Sequence, residues 1–289
     1  MTRILLLALL ATGLLICAPI VRAQGTAPAI ACYADRHDNQ AHEKKLWDGY
    51  EISLGPVRNG EAEESCTAAI YRADGKVVYR ATGFNVVFDA ENTGLDFDGD
   101  GNPEVVFKTD TGGGNHCCWA YNVISLAPKP RKLFDIAQTG AVQFEHDAAG
   151  KMVIWQRLPG PYGFTSMAAN PFAEKVWRVR DGKLVDATPE FSSRIFSDQN
   201  EDFRTWAAVL TDERLQKLTT APDPYDSEEV VSALLSKALQ LVFCHRFEEA
   251  AKELDLCPAA SRAKMKEDFA RGIREEYPEF ATLLANQAH

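Results

Sequence analysis

The stretch Leu95-Asp96-Phe97-Asp98-Gly99-Asp100-Gly101-Asn102-Pro103-Glu104 decides how the middle of this chain folds. It places three carboxylates at alternate positions, with glycines among them and a fourth carboxylate shortly afterwards. A hard cation such as Ca²⁺ takes about six to eight oxygen ligands, and a tight loop that contains glycine turns alternate side chains towards one point. Because these carboxylates would repel one another without a cation, the stretch predicts a metal-stabilised loop. The alternative is an acidic surface turn without metal.

The spacing within the loop differs from that of an EF-hand. Counted from Asp96, acids occupy positions 1, 3, 5 and 9, glycine occupies position 6, and Phe107 stands at position 12. An EF-hand carries a bidentate glutamate at that last position and is flanked by helices. The residues that follow the loop, Val105-Val106-Phe107, are typical of a strand. The sequence therefore predicts a shorter calcium loop that joins two strands.

This strand-loop-strand form resembles the FG-GAP/VCBS-type repeat of integrin alpha subunits and of many exported bacterial proteins, over about residues 94–125. The resemblance implies a structural Ca²⁺ held by the side chains of Asp96, Asp98, Asp100 and Glu104 and by the backbone carbonyl of Asn102. The family more often has aspartate where this chain has Glu104. No second Asp-rich loop of this type occurs in the sequence, so the resemblance does not extend to a complete multi-blade propeller.

The N-terminus has the pattern of a signal peptide. Arg3 supplies a positive charge, Ile4 to Ile16 is an apolar run, and Val21-Arg22-Ala23 is a small-residue cleavage site. The apolar run is shorter than the roughly 20 residues that a membrane-spanning helix needs. A lipoprotein anchored through Cys17 is a second alternative, although Ile16 is bulkier than a lipobox allows. We expect cleavage after residue 23 and a mature chain without a membrane span, in the periplasm or secreted.

Charge excludes one class of partner for the mature chain. Removing residues 1–23 takes away two arginines and no acidic residue, which moves the formal net charge from −10 to −12. Nucleic-acid-binding proteins present basic surfaces. We therefore expect no nucleic acid among the partners, and a protein or a cell-envelope component instead.

The cysteine count fits an exported protein, because the mature chain keeps an even number and oxidising compartments favour disulfides. Proximity in the sequence favours Cys32–Cys66 and Cys244–Cys257, which leaves Cys117 and Cys118 as a vicinal pair. A vicinal disulfide needs a turn-like backbone, because neighbouring strand residues point to opposite faces. The competing arrangement links Cys117 or Cys118 to Cys32 or Cys66. The candidates are therefore Cys32, Cys66, Cys117, Cys118, Cys244 and Cys257.

Periodicity divides the mature chain into a β part and a helical part. Short alternating runs with frequent turn residues extend from about residue 49 to 190, and Asp74-Gly75 between two such runs predicts a hairpin. From about residue 199, apolar residues recur at helical spacing, first across 203–218 and last across 261–277. We predict an α+β protein: an antiparallel β domain at 24–195, propeller-blade-like or a sandwich, followed by a small helical domain at 196–289.

The segment that follows the cation loop, 109–126, centres on three glycines and His116-Cys117-Cys118. It resembles a recurring pattern in uncharacterised exported bacterial proteins, which implies no known activity. The favoured interpretation is a disulfide-fixed turn beside the cation loop. The alternatives are a soft-metal site and a Cys–His nucleophile, which would need an orienting third group that the sequence does not show.

The remaining candidates are weaker. His37 and His42 lie five residues apart in a polar stretch, which favours a solvated segment over a metal site. The aromatic loop 159–164 is either a ligand-binding loop or, as we favour, a packed connection between strands.

Two functional hypotheses follow. The leading one is an exported, calcium-stabilised, disulfide-containing protein with a non-enzymatic binding role in the periplasm or cell envelope. The alternative is an exported hydrolase that uses the cation site or His116 with Cys118.

Overall fold

The computed structural model describes residues 30–35, 41–46, 49–59, 62–110, 112, 119–138, 141–161, 165–166, 169–220 and 227–280. The expected signal peptide, His37 and the His116-Cys117-Cys118 segment lie outside these residues. The strands are β1 (Ala31–Tyr33), β2 (His42–Lys45), β3 (Tyr50–Asn59), β4 (Ala62–Arg72), β5 (Val77–Gly83), β6 (Asn85–Phe88), β7 (Glu104–Asp110), β8 (Trp119–Ser125), β9 (Arg131–Gln138), β10 (Val142–His146), β11 (Met152–Pro159), β12 (Phe172–Arg180) and β13 (Lys183–Asp186).

The strands form three sheets in which every pairing is antiparallel. The N-terminal sheet has the order β2-β3-β4-β5, the central sheet β1-β6-β7-β8-β9, and the C-terminal sheet β10-β11-β12-β13. Within each sheet, neighbouring strands are also consecutive in the chain almost throughout. The exception is β1, which reaches across to pair with β6.

The central sheet is buried on both faces, because alternate side chains of a strand point to opposite sides. In β7, Val105 and Phe107 pack into the core shared with the N-terminal sheet, whereas Val106 packs into the core shared with the C-terminal sheet. A strand covered on both sides reads as an unbroken apolar run, which explains why Val105-Val106-Phe107 does not alternate. The three sheets therefore stack as successive layers.

A disulfide joins the first two layers. Cys32 on β1 of the central sheet is bonded to Cys66 on β4 of the N-terminal sheet, with their Cα atoms 5.7 Å apart. Both cysteines are fully buried in the core between these sheets. This pairing confirms the one expected from the sequence.

The helices cover the outer face of the C-terminal sheet. They are α1 (Ser192–Ile195), α2 (Glu201–Val209), α3 (Asp212–Thr220), α4 (Glu228–Phe243), α5 (Phe247–Leu254) and α6 (Arg262–Glu276), with short 3-10 helices at Thr188–Phe191 and Pro278–Phe280. In β11, Ile154 faces the central sheet, while Val153 and Trp155 face the helical side. The fold is α+β with the strands first and most of the helices last, as the sequence predicts.

Side chains of α4 replace a missing neighbour of β12. β13 pairs with β12 only from Trp177 onwards, so among the described residues no strand lies beside the earlier part of β12 on that side. There the amide of Gln240 bonds both backbone groups of Glu174, at 2.7 and 2.8 Å, and the Ser236 hydroxyl accepts from the N–H of Phe172 at 3.1 Å. Buried backbone polar groups need such partners, which accounts for the polar residues within an otherwise apolar helix.

The structure corrects three expectations about the elements. The apolar periodicity across 203–218 predicts one helix, but the chain forms α2 and α3 with a break at Leu210 and Thr211. The hydroxyl of Thr211 accepts a hydrogen bond from the N–H of Arg214 at 3.4 Å, so threonine begins a second helix. The strands β1 and β2 were missed, because β1 is only three residues long and β2 is a charged strand at a sheet edge.

The expected Cys244–Cys257 disulfide is wrong, since both residues are buried free thiols. Cys244 ends α4 and packs with Val153 and Trp155 of the C-terminal sheet. Cys257 follows α5 and packs in the core among the helices. Closeness in sequence misled the prediction because α5 lies between the two residues and they enter different cores.

Within the described residues, none of the helices combines the length and the apolar character that crossing a membrane requires.

Candidate cation site

The predicted calcium loop connects β6 to β7, which are antiparallel neighbours in the central sheet. Its two ends are tied together by the backbone, because Gly94 donates to the carbonyl of Glu104 at 2.8 Å and Glu104 donates to that of Leu95 at 2.9 Å. Phe97, a loop residue, is fully buried and packs against the aromatic rings of Phe134 and Phe144 in the core. The loop is therefore held by the sheet and by its own core residue.

Glycine at two positions shapes the turn. Gly99 and Gly101 have φ angles of +77° and +86°, which L side chains rarely adopt. Their N–H groups donate to the two carboxylate oxygens of Asp96, at 2.7 and 2.9 Å. The chain thus wraps around Asp96.

Three of the predicted ligands converge. One carboxylate oxygen from each of Asp96, Asp98 and Glu104 lies within 4.8 Å of the others. Asp100 is outside this group, and its Oδ1 accepts hydrogen bonds from the backbone and side-chain amides of Asn102 at 2.8 and 3.0 Å. Direct ligation by Asp100 and by the Asn102 carbonyl stays a prediction from the resemblance.

Glu104 is the innermost member of the group. It is fully buried at the start of β7; Oε2 accepts a hydrogen bond from the N–H of Phe97 at 2.7 Å, and Oε1 has no partner among the described residues. Burial raises the pKa of Glu104 to about 7, against the opposing effect of the Phe97 hydrogen bond, and the charges of Asp98, Asp96 and Asp100 raise it further. A cation bound by the three carboxylates would offset the cost of burying a charged Glu104 and the repulsion between its carboxylate and the neighbouring aspartates.

Asp98 connects the loop to a neighbouring strand. Its side chain is 7% exposed and forms an ion pair with Arg131 of β9 at 3.2 Å. The partner side chain is about half exposed, so this contact stabilises the loop little by itself. One Asp98 oxygen contacts Arg131, and the three-carboxylate group still contains an oxygen of Asp98.

A cleft of about 720 Å³ opens beside the loop. Asp96 and Asp98 line one wall. The other wall belongs to the C-terminal sheet, where Lys151, Arg178 and Arg180 line the same space; Lys151 and Arg180 are exposed, and Arg178 is partly buried. The sequence did not indicate this second wall, because nothing local marks residues on different hairpins as neighbours of a loop some fifty or more positions earlier.

Neither the histidines that the structure describes nor the aromatic loop 159–164 belongs to the cation group. His42 lies on the charged strand β2, His146 ends β10 at the rim of the cleft, and the ring of His245 stacks on Phe247 at 5.9 Å. In the aromatic loop, Gly160 packs against Pro171, and residues 162–164 lie outside the described part of the chain. Readings of His37, His116, Cys117 and Cys118 also concern residues outside it.

Comparison with known proteins does not assign this chain to a family. The chain matched no protein-family model, no curated protein and no solved structure. The resemblance to the FG-GAP/VCBS-type loop therefore stays a prediction from its residues.

Proposed function

We propose that this chain is an exported, Ca²⁺-stabilised protein with a non-enzymatic binding role in the periplasm or the cell envelope. One observation carries the cation part of this proposal. Glu104 is fully buried and its carboxylate belongs to a group with those of Asp96 and Asp98, while its Oε1 has no hydrogen-bond partner among the described residues. An unpaired buried carboxylate oxygen costs free energy, and a hard cation that prefers oxygen ligands would supply its partner.

Export is supported by the disulfide. Cys32–Cys66 lies in the core between two sheets, and such bonds form and persist mainly in oxidising compartments. The signal-peptide pattern of residues 1–23 agrees with this location. The partner would be a protein or an envelope component, in keeping with the acidic net charge.

Calorimetry with and without chelator tests the cation. A ligand that binds only the folded state stabilises it by about 2.7 kcal/mol at a concentration about 100-fold above its Kd, which is about 5–10 °C in Tm for a protein of this size. We expect Ca²⁺ to raise Tm by this amount relative to EDTA and Mg²⁺ to raise it less, because Mg²⁺ demands a stricter octahedral shell. An identical Tm in Ca²⁺ and EDTA would refute the proposal.

The hydrolase alternative predicts catalytic turnover that depends on the same cation site. A cation-dependent hydrolase would show turnover that disappears in EDTA and in an Asp98→Asn variant. Turnover of an ester, phosphate or peptide substrate with that dependence would replace the binding role.

A further inference from the structure

The cleft beside the cation loop has the size and the chemistry of a ligand site. Its volume of about 720 Å³ falls within the range of about 300–1,000 Å³ that is usual for small-molecule pockets. Phe97, Met152 and Val179 are the larger apolar residues of the lining, of which only Val179 is partly exposed, and most of the remaining lining residues are charged. The question is which charge a ligand would need.

On the side of the cleft formed by the calcium loop, the main charge would be the cation itself. Asp96 and Asp98 line the cleft, while Glu104 lies behind them in the core. Because Asp96 and Asp98 belong both to the three-carboxylate group and to the lining of the cleft, a cation held by this group would lie next to the space that a ligand could enter. Ca²⁺ takes about six to eight oxygens, so a ligand oxygen entering from the cleft has a coordination position to fill.

The opposite wall carries basic side chains that differ in how firmly they are engaged. Arg178 contacts Asp147 at 2.8 Å and Glu190 at 3.0 Å and stacks on Phe191, which fixes it. The Arg180 side chain is 58% exposed and forms one ion pair within the described part of the chain, with Glu190 at 3.2 Å. Exposed pairs of this kind are worth about 1 kcal/mol or less, so Arg180 exchanges partners easily.

Lys151 is the least engaged of the three. It follows the β10–β11 turn, where its backbone N–H donates to Asp147 at 2.9 Å. Its ammonium group is exposed and has neither a hydrogen bond nor an ion pair among the described residues. A lysine and an arginine available in one cleft can bind an anion by charge-assisted hydrogen bonds.

The net charge of the cleft depends on the cation. Four acidic residues line it, namely Asp96, Asp98, Asp147 and Glu190, against the three bases. A divalent cation changes this lining from a net charge of about −1 to about +1, so an anion is attracted only after the cation has bound.

We propose that the cleft binds a small carboxylate or phosphate compound, which coordinates the cation with one oxygen and contacts Lys151 and Arg180 with the others. This inference rests on the cation of the proposed function. It adds the chemical class of ligand, and it makes binding of that ligand dependent on Ca²⁺.

Isothermal titration of the mature protein tests the inference in two steps. The first step titrates Ca²⁺ into chelator-treated protein. The second titrates three sugars with the same ring into Ca²⁺-saturated protein: glucuronate, glucose 6-phosphate and uncharged glucose. We expect binding of one or both anionic sugars, at least about tenfold tighter than glucose, which corresponds to about 1.4 kcal/mol, and no binding in EDTA. The two anionic probes distinguish a carboxylate from a phosphate ligand.

Variants separate the ligand from the cation. We expect Lys151→Gln with Arg180→Gln to weaken binding of the anionic sugar about tenfold or more while the affinity for Ca²⁺ stays within about twofold. Lys264→Gln with Arg271→Gln, two exposed basic residues of α6, is the matched control for loss of two positive charges and should change neither value.

Each failure has a distinct meaning. Absence of Ca²⁺ binding would overturn both the proposed function and this inference. Normal Ca²⁺ binding with no preference for either anionic sugar over glucose would overturn the inference alone. Equal binding of an anionic sugar in EDTA, or no effect of the double variant, would also overturn it, because the cation or the basic wall would then play no part.

Discussion

The backbone N–H of Phe97 donates a hydrogen bond of 2.7 Å to Oε2 of Glu104, while Oε1 of the same carboxylate has no partner in the part of the chain that the structure describes. One oxygen of Glu104 thus has a partner in the loop and the other has none, in a carboxylate that groups with those of Asp96 and Asp98. Glu104 is therefore the residue at which chelated and Ca²⁺-bound protein should differ most.

Replacing Glu104 by Gln should have opposite effects on the two states. In EDTA at pH 8, above the Glu104 pKa of about 7, we expect a higher Tm than that of the unmodified protein, because the variant removes a buried negative charge close to two others. In Ca²⁺ we expect the stabilisation by the ion to be largely lost, since a ligand charge is missing. Calorimetry in both conditions measures the two effects.

Glu91→Gln is the matched control, because Glu91 is exposed in the same β6–β7 connection. It should leave both Tm values unchanged. A Glu104→Gln protein that is destabilised equally in Ca²⁺ and EDTA would show that Glu104 acts only through packing.

The stability of chelated protein should fall as the pH rises. The pKa of Glu104 in the folded protein is about 7, above its ordinary value of 4.5, so folding favours the protonated carboxyl. This contribution is fully present below about pH 4.5 and is lost as the pH rises through about 7. Urea unfolding in EDTA at pH 5 and pH 8 gives the free energy of unfolding of the unmodified protein and of Glu104→Gln. The difference between their pH dependences is the contribution of the Glu104 carboxyl.

We expect the unmodified protein to lose more stability than the variant between these pH values, and Ca²⁺ to abolish the difference. Identical pH dependence of the two proteins in EDTA would mean that the Glu104 carboxyl does not titrate in this range.

Local patterns predicted the strands and the loop well. Asp74-Gly75 predicted a hairpin, and Gly75 occupies the turn between β4 and β5 with a φ angle of +79°. Convergence of Asp96 and Asp98 followed from their alternate spacing, because the strands on either side fix the ends of a short loop. In these cases the physical cause lies within a few residues of its effect.

Features made by distant residues escaped prediction. Arg178 and Arg180 reach the cleft only because the central and C-terminal sheets stack, and the sequence does not state the order of the layers. Cys244 and Cys257 are close in sequence, but α5 lies between them and both are free thiols. Such contacts depend on which face an element buries.

Loss of the Cys32–Cys66 bond should destabilise the protein strongly. The bond closes a loop with a sequence separation of 34 residues, for which the chain-entropy estimate is about 4 kcal/mol. We expect Cys32→Ala with Cys66→Ala to lower the free energy of unfolding by about this amount in urea titrations. Cys257→Ala removes a buried sulfur without a cross-link and should cost much less. Equal losses in the two proteins would contradict a cross-linking role.

The free thiols should react only when the protein unfolds. Cys244 and Cys257 are buried, and burial raises the pKa of both thiols, to about 11 for Cys257. Because the thiolate is the reactive form, we expect iodoacetamide to label neither residue in native protein and both in guanidinium without reductant. Peptide mass mapping identifies which cysteines carry the label. A peptide pair linked through these two cysteines would contradict the structure.

The side chain of Lys175 should be worth more to stability than an ordinary lysine. It is 2% exposed, its ammonium group lies 4.4 Å from the Trp177 ring centre and 5.0 Å from that of Phe280, and it also forms ion pairs with Asp186 and Glu279. These contacts tie β12 to the 3-10 helix Pro278–Phe280.

We expect Lys175→Ala to lower the free energy of unfolding by about 2–4 kcal/mol, since it removes both the cation–π contacts and the buried stem. Lys175→Met keeps the stem but not the charge, so it should lose less. Lys217→Ala, an exposed helical lysine with a single exposed partner, is the control and should change stability by about 0.5 kcal/mol or less. If Lys175→Met were as damaging as Lys175→Ala, the charge would dominate; if it were harmless, the aromatic rings would be using only the hydrocarbon part of Lys175.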